Sequence, residues 1–224
     1  AAVAQTRWAF FVDEGGAEQP EVVAEEEEFG DLVFMPRSPE ASEGVTARQL
    51  QFVMTFLRDF HFRWLLVSDQ AAFVHLEPVL AALVPLDPPT RVVAGGWRTS
   101  APGGQGVSRH LPAQFFALSF DVKHLLASPR VSRWLRTDLP HTDDLHSSAD
   151  TALNAWLAPL DVQRMTLQGV FTGWGGAGSG CPGADASVVH PVTPRELYLM
   201  SESVARHGGD PCALLSATDY VGPR

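Results

Sequence analysis

The chain has 224 residues, of which 45% are hydrophobic and 19% charged, enough apolar material for a real core and too little charge density for a wholly disordered chain. Sixteen basic against 26 acidic side chains leave a net charge of −10, which argues against a binder of nucleic-acid backbone. The longest apolar run, Val79 to Leu86, falls short of the roughly 18–20 residues a membrane-spanning helix needs.

Trp8 to Val12 is β-rich and ends at Asp13-Glu14-Gly15-Gly16, which predicts a strand and a turn. The acidic run Glu21 to Glu28 is expected to be a solvated helix face or loop. Phe29-Gly30-Asp31 then leads into a short strand, Leu32 to Met35. After a loop over Pro36 to Gly44, Thr46-Ala-Arg-Gln49 fits a capping box, and Leu50, Val53, Met54 and Leu57 mark one buried helical face. Arg63 to Val67 is the most strand-like segment, followed directly by Ser68-Asp69-Gln70. Leu76 to Val84 reads as a helix with Pro78 in its first turn, and Arg91 to Ala94 as a strand closed by Gly95-Gly96.

Thr99 to Gly106 is a Gly/Pro/Ser loop, and Phe115 to Phe120 a strand or a tight helix entry. Val122 to Leu126 and Pro129 to Leu135 read as short helices, His141 to Ser148 as a polar loop, and Ala149 to Leu157 as a helix stopped by Pro159. Met165 to Phe171 is expected to be one strand, and Gly173 to Gly183 a Gly-rich loop without the order of a phosphate cradle. Val188 to Pro191 is a short strand, and Pro194 opens an amphipathic helix through Leu197, Tyr198 and Val204. Strands alternating with helices indicate an α/β layered domain, one unit over 1–224 with a loop-rich stretch at 173–224. The two cysteines, Cys181 and Cys212, have loop-like neighbours. They suggest a disulfide closing a loop of about 30 residues, worth about 3 kcal/mol, and so an oxidising compartment; two unrelated free thiols are the alternative.

Three features carry potential chemistry. Asp69 lies just past a strand, at the carboxyl edge where open α/β sheets place ligands, and could hold a divalent metal bridging a nucleotide diphosphate; a turn or N-cap aspartate is the plainer reading. Asp143, Asp144 and Asp150 cluster before and at a helix start, where an Asp can act as general base or simply cap the helix. His190 ends a strand before Pro191 and can supply an imidazole ligand. Trp97, Trp134, Trp156 and Trp174 can pack against a partner or in a core.

The order of these features resembles glycosyltransferase family 31, the Fringe-type β-1,3-glycosyltransferases, whose GT-A fold operates in the Golgi lumen. Trp8-Ala-Phe-Phe-Val-Asp is similar to the family's strand ending in Phe-x-x-Gly, and Glu28-Phe-Gly-Asp-Leu-Val to its Glu…Tyr-Gly-Asp-Ile segment. Arg63-Trp-Leu-Leu-Val-Ser-Asp-Gln-Ala-Ala-Phe-Val resembles the strand that ends in the Asp-Asp-Asp metal motif. Val93-Ala-Gly-Gly resembles the Tyr-x-Gly strand, Phe116-Ala-Leu-Ser119 the Phe-Ala-Leu-Ser ending of the Gly-Gly-Ala-Gly segment, and Ala149-Asp150 the Glu-Asp-Val segment. Val188-Val-His190-Pro resembles the late His segment, and the likeness runs from about Trp8 to Leu199.

The resemblance implies a GT-A-like, Rossmann-like mixed sheet flanked by helices, lacking the family's first strand, which with its uridine-framing Arg-x-x-Trp segment is expected before residue 1. It implies Asp150 as general base, Asp69 and His190 as metal ligands, and Mn²⁺ and a UDP-sugar as cofactor and donor if the domain is active. Trp97, Asp143, Asp144 and Trp174 are the candidate substrate-binding residues. The departures point the other way. The triplet reads Asp69-Gln70-Ala71, with a methyl group where the family places its metal-binding acid, and the Gly-Gly-Ala-Gly stretch reads Pro112-Ala113-Gln114-Phe115. The sequence therefore favours a degenerate, non-catalytic domain that binds glycans or protein partners in the secretory lumen or outside the cell. The alternative is an active inverting β-1,3-glycosyltransferase of galactosyl or N-acetylglucosaminyl type acting on a glycan or glycoprotein. Neither reading calls for nucleic acid.

Overall fold

The computed structural model describes residues 10–13, 18–35, 62–86, 91–99, 109–122, 153–154, 157–158, 160–175 and 182–215. It divides into two compact units, Ala1–Phe60 and His61–Arg224. The expected helix at residues 46–57 and those at 122–126 and 129–135 lie wholly or largely outside the described residues.

The described part of the first unit is a strand–helix–strand. Strand β1 (Phe10–Asp13) pairs in parallel with β2 (Leu32–Met35), in register from Phe10 opposite Leu32 to Asp13 opposite Met35. Between them runs α1 (Pro20–Phe29), opened by a proline that needs no amide partner there. Gly30 closes it in the left-handed conformation, φ 63°, and donates its N–H to the Glu26 carbonyl at 2.9 Å. No residue of α1 is buried, so the acidic run is a solvated helix face, as the charge pattern predicts. One of its acids also acts locally, since Glu26 Oε2 accepts the Leu32 N–H at 2.8 Å and ties the helix to β2.

The second unit is built on a mixed four-stranded sheet in the order β3 (Trp64–Ser68), β8 (Phe115–Ser119), β5 (Val92–Gly95), β9 (Gln163–Thr166). The strand β8 runs antiparallel to both its neighbours, while β5 and β9 are parallel. Every residue of β5 and β8 is buried, and all but Ser119, at the end of β8, are apolar or glycine. A second sheet has the order β10 (Val170–Thr172), β11 (Val188–His190), β4 (Phe73–Val74), and a two-stranded ribbon pairs β6 (Arg98–Thr99) with β7 (Arg109–His110).

Helix α2 (Leu76–Leu83) buries Val79 and Leu83, four residues apart on one face, against Val92, Ala94, Phe115, Ala117, Leu167 and Val188. Helix α3 (Pro194–Arg206) begins with a complete capping box: Thr193 Oγ1 accepts the Glu196 N–H at 3.3 Å, and Glu196 Oε2 accepts the Thr193 N–H at 2.8 Å. It buries Met200 on a second cluster with Phe73, Ala186, Val189 and Val192. Tyr198, expected on the buried face of this helix, is 64% exposed instead. It lies two positions before Met200, about 200° round the helix, on the opposite side.

One predicted strand is corrected. Residues 165–171 do not form a single strand; they split between β9 and β10, in two different sheets. The break is at Gly169, φ 71°, where a Cβ would lie 2.2 Å from the Asp185 carbonyl oxygen, so only glycine fits the turn. Among the described residues no helix is long and apolar enough to cross a membrane.

Candidate functional site

Asp69 follows the last residue of β3, where Ser68 stands opposite Phe115 at the start of β8. Its N–H donates to the Gln114 carbonyl at 2.9 Å, so the sheet pairing fixes the backbone one residue beyond the strand. Its side chain folds back over a tight turn: Oδ1 accepts the Ala71 N–H at 2.7 Å, and its carbonyl accepts the Ala72 N–H at 3.1 Å. The plain reading of Asp69 as a turn aspartate is thus correct as far as it goes.

The turn is docked on the second sheet. The Ala71 carbonyl accepts the Val192 N–H at 2.8 Å, just past the end of β11. His190 is the last residue of β11, and its carbonyl accepts the N–H groups of Gly173 and Trp174 at 2.7 and 2.9 Å. These bonds bring the ends of strands from two sheets together. His190 Nε2 stands 3.6 Å from Asp69 Oδ1, with the imidazole 19% and the carboxylate 44% exposed, so both can be reached by a ligand.

His190 also lines a cavity of about 250 Å³ with Arg98, His110, Pro112, Gln114, Thr172, Gly173 and Pro191. Arg98 and His110 face one another across the β6–β7 ribbon. The Arg98 guanidinium is anchored through Nη2 to the carbonyl and hydroxyl oxygens of Thr172. On the other side of Pro191 lies a shallower cavity of about 370 Å³, lined by Trp174, Gly175, Val192, Thr193 and Glu196.

The other candidates are distributed as follows. Trp174 lines the second cavity and packs on the cluster under α3. Trp97 lines neither of these cavities. Its Nε1–H donates to the Val93 carbonyl at 3.2 Å, and the Arg164 guanidinium lies 5.2 Å from the centre of its ring, a cation–π contact within the protein. Asp143, Asp144, Asp150, Trp134 and Trp156 lie outside the described residues. Cys212 is buried and carries no free thiol; Cys181 lies outside the described residues.

Sequence reasoning missed Arg98, His110 and Gln114. Strands of two residues leave no alternation to read, and Arg98 and His110 stand twelve positions apart in the sequence.

As a metal centre, the Asp69–His190 pair offers one oxygen and one nitrogen. A first-row divalent ion bonds such donors at about 2.0–2.2 Å, so two of them on one ion can be up to about 4 Å apart. The 3.6 Å separation satisfies that condition. No group of three or more His, Cys, Asp or Glu side chains gathers among the described residues. An ion held here would therefore complete its shell with water and phosphate oxygens, as Mg²⁺-type sites do. Ala71 adds no donor, and its N–H is already bonded to Asp69.

No family model matches the chain. It is 31% identical to β-1,3-galactosyltransferase 6 of Mus musculus over 179 residues, 70% of this chain. The match covers 51% of that protein, so the chain spans about half of its length. The relationship is β-1,3-glycosyltransferase-like, and the mixed α/β sheets with their helices are compatible with a Rossmann-like glycosyltransferase fold.

Proposed function

We propose that the chain binds a UDP-sugar at the Asp69–His190 edge and transfers the sugar, galactose being the first to test, to a hydroxyl of a glycan or glycoprotein. The observation that carries this reading is the 3.6 Å approach of Asp69 to His190, two residues far apart in sequence, the histidine lining a cavity. The likeness to a β-1,3-galactosyltransferase supports the donor.

In the inverting reaction, the acceptor oxygen forms a bond to the anomeric carbon as the bond from that carbon to the diphosphate oxygen breaks. The acceptor proton passes to the Asp150 carboxylate, and UDP leaves. Asp69 and His190 would hold Mn²⁺, which supplies positive charge to the departing diphosphate. The acidic pair Asp143 and Asp144 and the indole of Trp174 are the residues proposed to meet the acceptor. A secretory-lumen setting, Golgi or extracellular, fits the glycan chemistry and a Cys181–Cys212 disulfide, which the proposal includes.

Acceptor-dependent release of UDP from UDP-galactose tests the reading. Asp150→Asn is expected to lower that release by about 10²- to 10⁴-fold while UDP still binds. A second reading, a non-catalytic binding or assembly module, is favoured by Ala71, which stands where a metal-binding acid is expected. UDP binding without release on any sugar and acceptor would select it.

A further inference from the structure

We propose that Arg98 and His110, together with His190, form an anion site that holds the diphosphate of the donor even without a divalent metal. The inference rests on the donor-binding reading above and names the residues that meet the charged part of the donor.

Charge is the first argument. The chain carries ten more acidic than basic charges, yet the described residues lining the cavity next to His190 comprise one arginine, two histidines and no carboxylate. Arg98 has no ion-pair partner among the described residues. One guanidinium with imidazole and amide groups around it offers an anion one fixed positive charge and several hydrogen-bond partners.

Geometry is the second. Residues directly opposite in an antiparallel pair project from the same face, their Cβ atoms about 4.5–5.5 Å apart. Arg98 and His110 are such a pair, and both line the cavity. The Arg98 guanidinium meets Thr172 through Nη2 alone and keeps further N–H donors in a planar fork suited to phosphate oxygens. The Gln114 side chain adds a neutral amide to the lining. A volume of about 250 Å³ equals that of about eight waters in the liquid, room for a diphosphate group.

Ala71 raises the need for such a site. With a methyl group there, the protein offers a divalent ion one carboxylate fewer, and the leaving diphosphate needs positive charge from elsewhere. The Arg98 guanidinium is placed to supply it, with the His110 imidazole beside it as a hydrogen-bond partner.

The test is calorimetric titration of the full chain with inorganic pyrophosphate, UDP and uridine, in EDTA and in Mn²⁺, for the wild type, Arg98→Gln and His110→Gln. Thermal melts check that each variant is folded, and His110→Gln keeps the test valid should loss of the Thr172 anchor unfold Arg98→Gln. The expected result is binding of pyrophosphate and UDP in EDTA, weakened at least about tenfold in each folded variant, with uridine indifferent to both changes. Pyrophosphate binding lost in the variants, with no binding of UDP, would support the anion site and refute the nucleotide donor. UDP binding in Mn²⁺ alone, or binding in EDTA that neither variant weakens, would overturn the anion site and leave the donor reading standing. A folded chain that binds neither anion in either condition refutes both.

Discussion

Asp69 carries two roles that one substitution can separate. Its Oδ1 holds the Ala71 N–H and also faces His190. Asp69→Asn keeps an oxygen acceptor for the turn but removes the charge a metal needs. Mn²⁺-dependent affinity for UDP is therefore expected to fall at least about tenfold, equivalent to about 1.4 kcal/mol, with little change in melting temperature. Asp69→Ala loses both roles and costs about 1 kcal/mol of stability as well. The converse change is Ala71→Asp, which restores a carboxylate to a half-buried position beside Asp69. Titration with UDP is expected to show tighter binding in Mn²⁺ and no gain in EDTA. Asp69 and His190 were legible as candidates because each ends a recognisable strand. Their approach was not, since it depends on strands of two sheets being docked through the Ala71–Val192 bond.

At the scale of elements, the sequence signals worked best where burial and punctuation agree. Leu32–Met35, Trp64–Ser68, Val92–Gly95, Phe115–Ser119, Val188–His190 and the helices at Leu76 and Pro194 fall within a residue or so of expectation. They failed where packing overrides periodicity. Met165 to Phe171 looks continuous because Leu167 and Val170 are apolar, but the chain turns at Gly169 and sends the two halves to different sheets. Gly169→Ala tests that reasoning: a left-handed alanine whose Cβ meets a backbone carbonyl should cost at least about 2 kcal/mol, read as a lowered midpoint in urea unfolding. Loss of the capping box in Thr193→Ala should cost about 1 kcal/mol, a fall in melting temperature of about 2–4 °C for a unit of this size.

For the molecule as a whole, composition argues against a binder of nucleic-acid backbone, and no apolar run is long enough to span a membrane, but composition could not place charge. The acidic average conceals a local hollow lined by an arginine and two histidines, visible only once the β6–β7 ribbon sets Arg98 opposite His110 beside His190. The cysteines act on this scale too. A Cys181–Cys212 disulfide would restrain about 30 residues of the unfolded chain, so reduction is expected to cost about 3 kcal/mol, seen as a lower melting temperature in dithiothreitol. The central claim is that Asp69 and His190 mark a working donor site. Calorimetric titration of the full chain with UDP, with and without Mn²⁺, tests it most directly when repeated on His190→Ala. The account predicts that Mn²⁺ tightens UDP binding and that His190→Ala abolishes the Mn²⁺-dependent gain. A folded chain that ignores millimolar UDP with Mn²⁺ present, or a His190→Ala variant that keeps the full gain, would contradict it.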